Sequence, residues 1–288
     1  RQEVLVWTDS SLYSLQYVGA GSGVWAAQLV GEQISIASQN SVAYASGVSY
    51  WMGKDKFYKY DGSTQPLQCD LRKYVFTDFN TEQYNQVFGG SNEAFNEVWW
   101  FYCSSSATDN DRYVVYNYLE HIWYYGSMAR SAWLDSGLRA FPLAATYNSV
   151  LVNHEEGVDD NETGTTAAIP AFITSADFDL EDGDRFMLMS RVLPDVSFEG
   201  STAANPAITM SFFPLTSSGS GYNSPTSESG VSTGVATRSA TSPVEVYTSQ
   251  IHTRVRGRQV SMKIESSAAG VQWQSGATRI DIRPDGRR

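Results

Sequence analysis

An aromatic hairpin recurs along the first half of this chain, and that recurrence limits the folds open to it. Val4-Leu5-Val6-Trp7 leads through Thr8-Asp9-Ser10 to the alternating stretch Leu12–Tyr17, and Val48-Ser49-Tyr50-Trp51 leads through Met52–Asp55 to Phe57-Tyr58-Lys59-Tyr60. A third copy runs from Val98-Trp99-Trp100-Phe101-Tyr102 across the polar loop 104–111 to Tyr113–Tyr118. A fourth runs from Leu143-Ala144-Ala145 to Val150-Leu151-Val152. Aligned on Trp7, Trp51, Trp100 and Thr146, the copies stand 44, 49 and 46 residues apart. That interval matches the roughly 40 to 50 residues of a four-stranded propeller blade. A blade cannot bury both of its faces alone, so its aromatic residues must pack on neighbouring blades, and a ring closes only with enough copies.

Seventeen Tyr, thirteen Phe, eight Trp and 23 Gly suit pleated strands, where aromatic and β-branched side chains fit a half-buried surface. At 288 residues the chain exceeds what one core usually serves, so two domains are expected. With 42% hydrophobic and 18% charged residues it is not of disordered composition. It contains no apolar run near the roughly 20 residues a spanning helix needs, and no membrane partner is expected. The sequence enters directly on the strand-like Val4–Trp7, from which an upstream part of the repeat is expected. Cys69 and Cys103 are too few for a zinc ribbon or a disulfide framework and read as buried free thiols. Between the second and third copies, 78–89 predicts a short helix, capped by Asn80, with Glu82 and Gln83 in its first turn and Gly89 and Gly90 as its stop.

From Asn153 to Ala168 the alternation gives way to a polar, Gly-containing stretch that marks a domain boundary. Short strands are expected beyond it, at 169–174, 185–198, 208–215, 244–256, 259–265, 271–274 and 279–283, the spacing of a β-sandwich. Around Gly257 a hairpin is predicted, with Ile251, Thr253 and Val255 on one side, Val260, Met262 and Ile264 on the returning strand, and Arg254, Arg256 and Lys263 facing out. The Ser/Thr/Gly-rich segment 217–242 reads as a flexible loop. The predicted fold is therefore all-β: propeller-like aromatic blades over residues 1–160, incomplete at the N-terminus, followed by a β-sandwich domain over 161–288.

Lys+Arg 20 against Asp+Glu 31 gives a net charge of −11, which argues against a surface that neutralises phosphate everywhere. Charge is divided unevenly. Residues 1–165 carry 9 basic against 19 acidic side chains, whereas 238–288 carry 9 against 4. Arg254, Arg256, Arg258, Arg279 and Arg283 are accordingly the candidate interface residues, able to meet an acidic neighbouring subunit or another anionic partner. Solvated strand and tail residues, Arg287 and Arg288 among them, are the plainer alternative.

Motifs of chemistry are weak. Gly230-Val231-Ser232-Thr233-Gly234 has the letters of a nucleophile elbow, but Ser/Thr-rich loop flanks it where a strand and a helix are required. His121, His154 and His252 lack a second ligand at metal spacing. Asp177, Asp179 and Glu181 open like a calcium loop, yet Gly183 falls one position late and Leu188 stands in place of the closing Glu, so a strand edge fits better. The acidic run 154–162 fits an interdomain solvated loop as well as a calcium site. Gly19-Ala20-Gly21-Ser22-Gly23 lacks the last glycine of a dinucleotide fingerprint, and its surroundings are β. Paired carboxylates for glycoside hydrolysis depend on a separation that spacing does not give. No catalytic, cofactor or metal residue is assigned, no cofactor is expected, and a non-enzyme is favoured over a hydrolase.

Val98–Tyr102, Asp111–Tyr118 and Trp123-Tyr124-Tyr125-Gly126, with Val255–Val260 and the terminal Arg279–Arg288, resemble the tail nozzle (hub) proteins of short-tailed bacteriophages, a family that includes packaged-DNA stabilisation proteins. The likeness spans most of the chain and is one of aromatic hairpins rather than of a catalytic signature. It implies a propeller-containing virion subunit, six copies of which ring the channel below the portal and its adaptor. Its partners would be its own copies and the adjacent adaptor, fibre or tailspike proteins, with DNA passing through unread. The acidic balance suits a conduit, because carboxylates repel phosphates that a basic lining would grip. Carboxylates are then expected toward the channel, and Arg254, Arg256 and Arg283 nearer subunit contacts. The rival reading is a carbohydrate-binding propeller with an attached sandwich, using exposed aromatic rings and acidic side chains on glycans.

Overall fold

The structure, a computed structural model, describes residues 3–19, 23–181, 183–216 and 239–286. The protein is all-β, 50% strand against 5% helix, arranged in several small antiparallel sheets. Its internal contacts divide it into two units, Arg1–Glu156 and Gly157–Arg288, ahead of the expected division at 160/161.

The first unit is a series of four meanders, each pairing its strands in chain order. The first sheet comprises Glu3–Trp7, Ser11–Tyr17 and Trp25–Glu32, and the second Val42–Ala45, Val48–Met52, Phe57–Tyr60 and Thr64–Leu67. Phe88–Asn92, Glu97–Tyr102, Arg112–Asn117 and Ile122–Ser127 form the third. Ala132–Leu134, Leu143–Ala145 and Leu151–Asn153 form the fourth. Strand residues alternate between faces, so a sheet with aromatic residues in both phases must be covered on both sides. The second and third sheets are such sheets: all six residues of Glu97–Tyr102 are buried, and Trp51 and Trp100 are fully so.

Successive sheets meet through aromatic rings. Trp7 of the first sheet lies edge-on to Trp51 of the second at 5.6 Å, and Phe57 of the second packs on Trp100 and Trp123 of the third at 5.0 and 4.7 Å. Trp99 of the third stacks on Trp133 of the fourth at 5.3 Å and 15°. Each such ring pair adds about 1 kcal/mol beyond the area it buries. Three of these indoles are also satisfied, as Trp51, Trp100 and Trp133 donate Nε1–H to the carbonyls of Ser35, Ser41 and Ser91 at 3.1, 2.9 and 2.8 Å, whereas the buried Trp7 Nε1 has no partner among the described residues.

The helix expected at 78–89 is displaced. A short helix occupies Arg72–Asp78, and the rest of 78–89 forms the 3-10 turn Tyr84–Gln86 and the start of a strand. Asn80 closes a local turn instead of starting a helix: its Oδ1 accepts from Glu82 N at 3.0 Å and its Nδ2 donates to Ala107 O at 2.9 Å. Gly89 and Gly90 are strand residues rather than a stop. A Cβ on Gly90 would come 2.4 Å from Trp133 Cδ1, so the absence of a side chain makes room for the indole.

In the second unit, a five-stranded sheet sets Ala171–Thr174, Gln259–Ser266, Ala207–Leu215 and Ala240–Glu245 side by side, with Phe178–Asp179 also on Gln259–Ser266. A three-stranded sheet orders Ile251–Gly257, Met187–Leu193 and Arg279–Pro284. Met187, Met189, Val192 and Val255 of the smaller sheet share one buried cluster with Ile208, Met210, Phe212, Val260 and Ile264 of the larger. Two short ribbons complete the unit, Val196–Ser197 with Gln274–Ser275 and Asp159–Asp160 with Ala167–Ala168, so the expected irregular stretch 153–168 contains a strand pair.

Two strand expectations are corrected. The run 244–256 is broken by a turn between Ala240–Glu245 and Ile251–Gly257, and Ala240–Ser242 belong to a strand rather than to the predicted loop, whose residues 217–238 lie outside those described. The strands flanking Gly257 do not form a hairpin. The first pairs with Met187–Leu193 and the second with Ala207–Leu215, so the chain changes sheet at this glycine. A Cβ there would stand 2.8 Å from Gln259 O, 2.9 Å from Pro214 Cβ and 3.0 Å from Leu215 O, while Arg258 N donates to Leu215 O at 2.8 Å. Only glycine fits such a corner without displacing the chain. The inward alternation survives, because Ile251 and Val255 reach the shared core from one sheet and Val260 and Ile264 from the other.

Candidate interaction surfaces

The candidate arginines gather on the second unit. Ile251–Gly257 turns Ile251 and Val255 inward and leaves His252, Arg254 and Arg256 exposed on the opposite face of the three-stranded sheet. Arg256 stands opposite Leu188, which stands opposite Arg283, and Arg279 and Asp281 follow the same alternation. Arg191, which charge counting alone did not single out, joins them: its guanidinium meets Asp281 Oδ2 at 2.7 Å. Arg258, at the corner after Gly257, is half-buried, with its guanidinium 5.4 Å from the Phe186 ring over which Arg256 also lies, at 4.2 Å. Arg256 is further tied to Asp285. Arg254, Arg279 and Arg283 have no ion-pair partner among the described residues. Lys263, expected to face out beside them, lies instead in the larger sheet, half-buried against Glu265 and Phe172.

The first unit exposes apolar surface at both ends of its sheet series. In the first sheet, Leu5, Trp7 and Leu12 pack toward the second sheet, so the opposite phase points away: Val4, Val6, Tyr17, Trp25 and Leu29 are 51, 39, 62, 54 and 41% exposed. Tyr17 and Trp25 face each other across the strands, ring to ring at 6.0 Å. In the fourth sheet, Trp133 packs toward the third, leaving Leu134 and Leu151 51 and 68% exposed on the other face. The sequence carried a signal for this in Val4-Leu5-Val6-Trp7, where both strand phases are apolar and two covers are called for.

Beneath the third sheet lies a carboxylate pair that the aromatic pattern concealed. Glu97 is 8% exposed; its Oε2 accepts from Trp99 Nε1 at 2.9 Å, and its Oε1 accepts from the Tyr124 hydroxyl. Asn92 Nδ2 bridges Glu97 Oε2 at 3.5 Å and Glu155 Oε1 at 3.2 Å. Burial pushes the Glu97 carboxyl above its ordinary range, and burial together with the Glu97 charge pushes Glu155 the same way. Both Glu97 oxygens are engaged by fixed donors, so this carboxyl anchors Trp99 and Tyr124 rather than facing a substrate. A separate pocket of about 720 Å³ lies in the same unit, lined among others by Trp7, Asp9, Gln39, Lys54, Tyr84 and Asn85. Lys54 Nζ stands 5.1 Å from the Tyr84 ring centre.

The histidines are spread over different environments. The ring of His121 bonds the Tyr116 hydroxyl at 2.8 Å, His154 Nε2 accepts from Arg130 Nε at 2.9 Å, and His252 is exposed. Asp179 lies in the short strand beside Gln259–Ser266, its carboxylate accepting from Gln259 Nε2 at 3.3 Å. Among the described residues, no three His, Cys, Asp or Glu side chains group as a metal site. Cys69 and Cys103 are free, Cys103 buried and Cys69 partly so, and burial pushes the thiols up to about 12 and about 11 for Cys69 and Cys103 respectively. The sequence 230–234 and residues 20–22 of the glycine run lie outside the described residues. Among the described residues no helix is long and apolar enough to cross a membrane. The chain matches no family model and no curated protein sequence.

Proposed function

We propose that this chain is a structural, non-enzymatic subunit of the tail nozzle of a short-tailed bacteriophage virion. In this reading the four serial meanders are propeller-like blades, and the two sheets around the common core of the second unit are a β-sandwich. Six copies ring a channel below the portal and adaptor, meet the neighbouring tail proteins, and help retain and release the genome. Carboxylates of the first unit face the channel and repel passing phosphates, while the arginine-bearing sheet serves contacts between subunits.

The observation that carries this reading is the series of meanders left apolar at both ends, as expected of blades that need further sheets around a common axis. The residues that bear the family resemblance are also placed coherently, since Val98–Tyr102, Asp111–Tyr118 and Trp123–Gly126 fall on or next to three adjacent strands of the third sheet. Light scattering on the eluting species, followed by electron microscopy, tests the reading. A ring with an axial opening is the expected result, and a monomer at every concentration overturns it.

The glycan-binding alternative draws on the pocket beside Trp7 and Tyr84, where aromatic faces stand near Asp9, Gln39 and Asn85, the side-chain types that hold sugar hydroxyls. Saturable glycan-array binding by a monomer, lost in Tyr84→Ala, would select it.

A further inference from the structure

Contacts inside the first unit have a direction. Each sheet after the first points a tryptophan back at its predecessor: Trp51 toward Trp7, Trp100 toward Phe57, and Trp133 toward Trp99. The forward faces receive them. At the two ends this order leaves a face uncovered within the first unit: among the described residues no other sheet of that unit packs on the backward face of the first sheet or on the forward face of the fourth. The backward face of the first sheet is aromatic like the other backward faces, presenting Tyr17 and Trp25 with Val4, Val6 and Leu29. The forward face of the fourth sheet is aliphatic, presenting Leu134, Leu143 and Leu151.

Their strand residues carry little charge: Glu32, opposite Ser11, stands at one corner of the first face, and the fourth adds only the polar Asn153, opposite Leu143. A polyanion or a charged protein surface therefore gains little by seating there, whereas another apolar sheet gains more. Tyr17 and Trp25 alone expose on the order of 200 Å² of ring surface. With the adjoining valines and Leu29, the patch reaches the few hundred Å² that single-chain soluble proteins rarely leave bare.

We infer that the aromatic outer face of the first sheet in one copy seats on the aliphatic outer face of the fourth sheet in the next copy, continuing between chains the sheet-on-sheet packing found within one. The contact joins two different surfaces, so it is head-to-tail and propagates, closing into a ring when the rotation per copy permits. This inference rests on the ring reading above and specifies the surfaces that make the ring.

Two variants test it by complementation, read by sedimentation velocity. Trp25→Glu with Leu29→Glu disables the first face, and Leu134→Glu with Leu151→Glu disables the fourth. Each variant keeps one intact face, so each alone is expected to sediment as a monomer, and an equimolar mixture as a one-to-one dimer and nothing larger. A mixture that stays monomeric, or a variant that still assembles like the wild type, overturns the head-to-tail contact while leaving the ring reading standing. A wild type that is itself monomeric overturns both. Circular dichroism establishes that the variants are folded. Should a charge prove disruptive, Trp25→Cys mixed with Leu151→Cys under oxidising conditions is expected to give a cross-linked dimer that neither gives alone, and absence of the cross-link counts against the contact.

Discussion

Glu97 and Glu155 hang on one amide nitrogen, that of Asn92, at 3.5 and 3.2 Å. Both carboxyls are raised above their ordinary range, Glu97 by burial and Glu155 by burial and then by the Glu97 charge. Glu155 also holds a left-handed backbone, φ 61°, and the neighbouring phenols of Tyr113 and Tyr124 are themselves pushed up. A carboxyl whose affinity for a proton is higher folded than unfolded makes the native state take up protons. Its cost to stability is therefore felt above the raised range and relieved as pH falls through it. Glu155→Gln is expected to stabilise the first unit in mildly alkaline solution, with the gain shrinking as pH falls through the raised range and the wild type protonates. Denaturant unfolding of both proteins across that range measures the difference, and a gain that does not vary with pH would dissociate the pair from the effect.

The aromatic layers separate core positions from end positions. Trp100 is fully buried, packs on Phe57 and Trp123, and donates to Ser41 O at 2.9 Å. Trp100→Ala should cost roughly 3–5 kcal/mol from the lost contacts and the cavity left behind. That is comparable to the whole stability of a domain, so the first unit unfolds early while the second keeps its transition. Leu151→Ala, at a side chain 68% exposed, should change stability by no more than about 0.5 kcal/mol. Calorimetry resolving the two units distinguishes them, and equal losses for the two variants would contradict the layer assignment.

The strands were readable where alternation was clean, and the sheet contacts were readable where it was not. Val48–Trp51 and Val98–Tyr102 are apolar in both phases, which already calls for sheets covered on two sides, as Trp51 and Trp100 show. Gly257 was misread for a physical reason. Alternation fixes which side chains point inward but not which strand lies alongside, and a sheet-changing corner leaves the same pattern as a hairpin. Asn80 was misread because its short polar side chain serves an isolated turn as readily as a helix start, a choice settled by Ala107, distant in sequence. The arginine face was half legible: composition gave Arg254, Arg256, Arg279 and Arg283, but Arg191 needed the register to Asp281. Glu97 was concealed because an acid among aromatic residues finds its donors, Asn92 and Tyr124, on other strands.

At Gly257 the chain passes from one sheet of the second unit to the other, with Gln259 O, Pro214 Cβ and Leu215 O all within 3.0 Å of where a Cβ would be. Two of those neighbours are backbone and the third belongs to a proline ring, so none can move aside at little cost. Gly257→Ala should therefore destabilise the second unit by about 1–3 kcal/mol, through strain. The transition of the first unit should stay in place. A denaturant midpoint unchanged from the wild type would mean that the corner relaxes freely.

The exposed arginines should matter for association more than for folding. Arg256 meets Asp285 and Arg191 meets Asp281 at the surface, and such solvated pairs contribute about 0–1 kcal/mol, so Arg256→Ala should leave the unfolding midpoint nearly in place. Arg254 and Arg283 lie on the same sheet face without an ion-pair partner among the described residues, and their charge is free to act outward. If this face contacts the acidic surface of a neighbouring copy, Arg254→Glu with Arg283→Glu weakens assembly at low salt. The deficit should shrink as the screening length falls from about 10 Å at 0.1 M to about 3 Å at 1 M. Apolar end-face contacts should persist across the same range, which separates the two contributions in one salt series. Sedimentation velocity reads the outcome, and assembly of the double variant that matches the wild type at low salt would remove the arginine face from the interface.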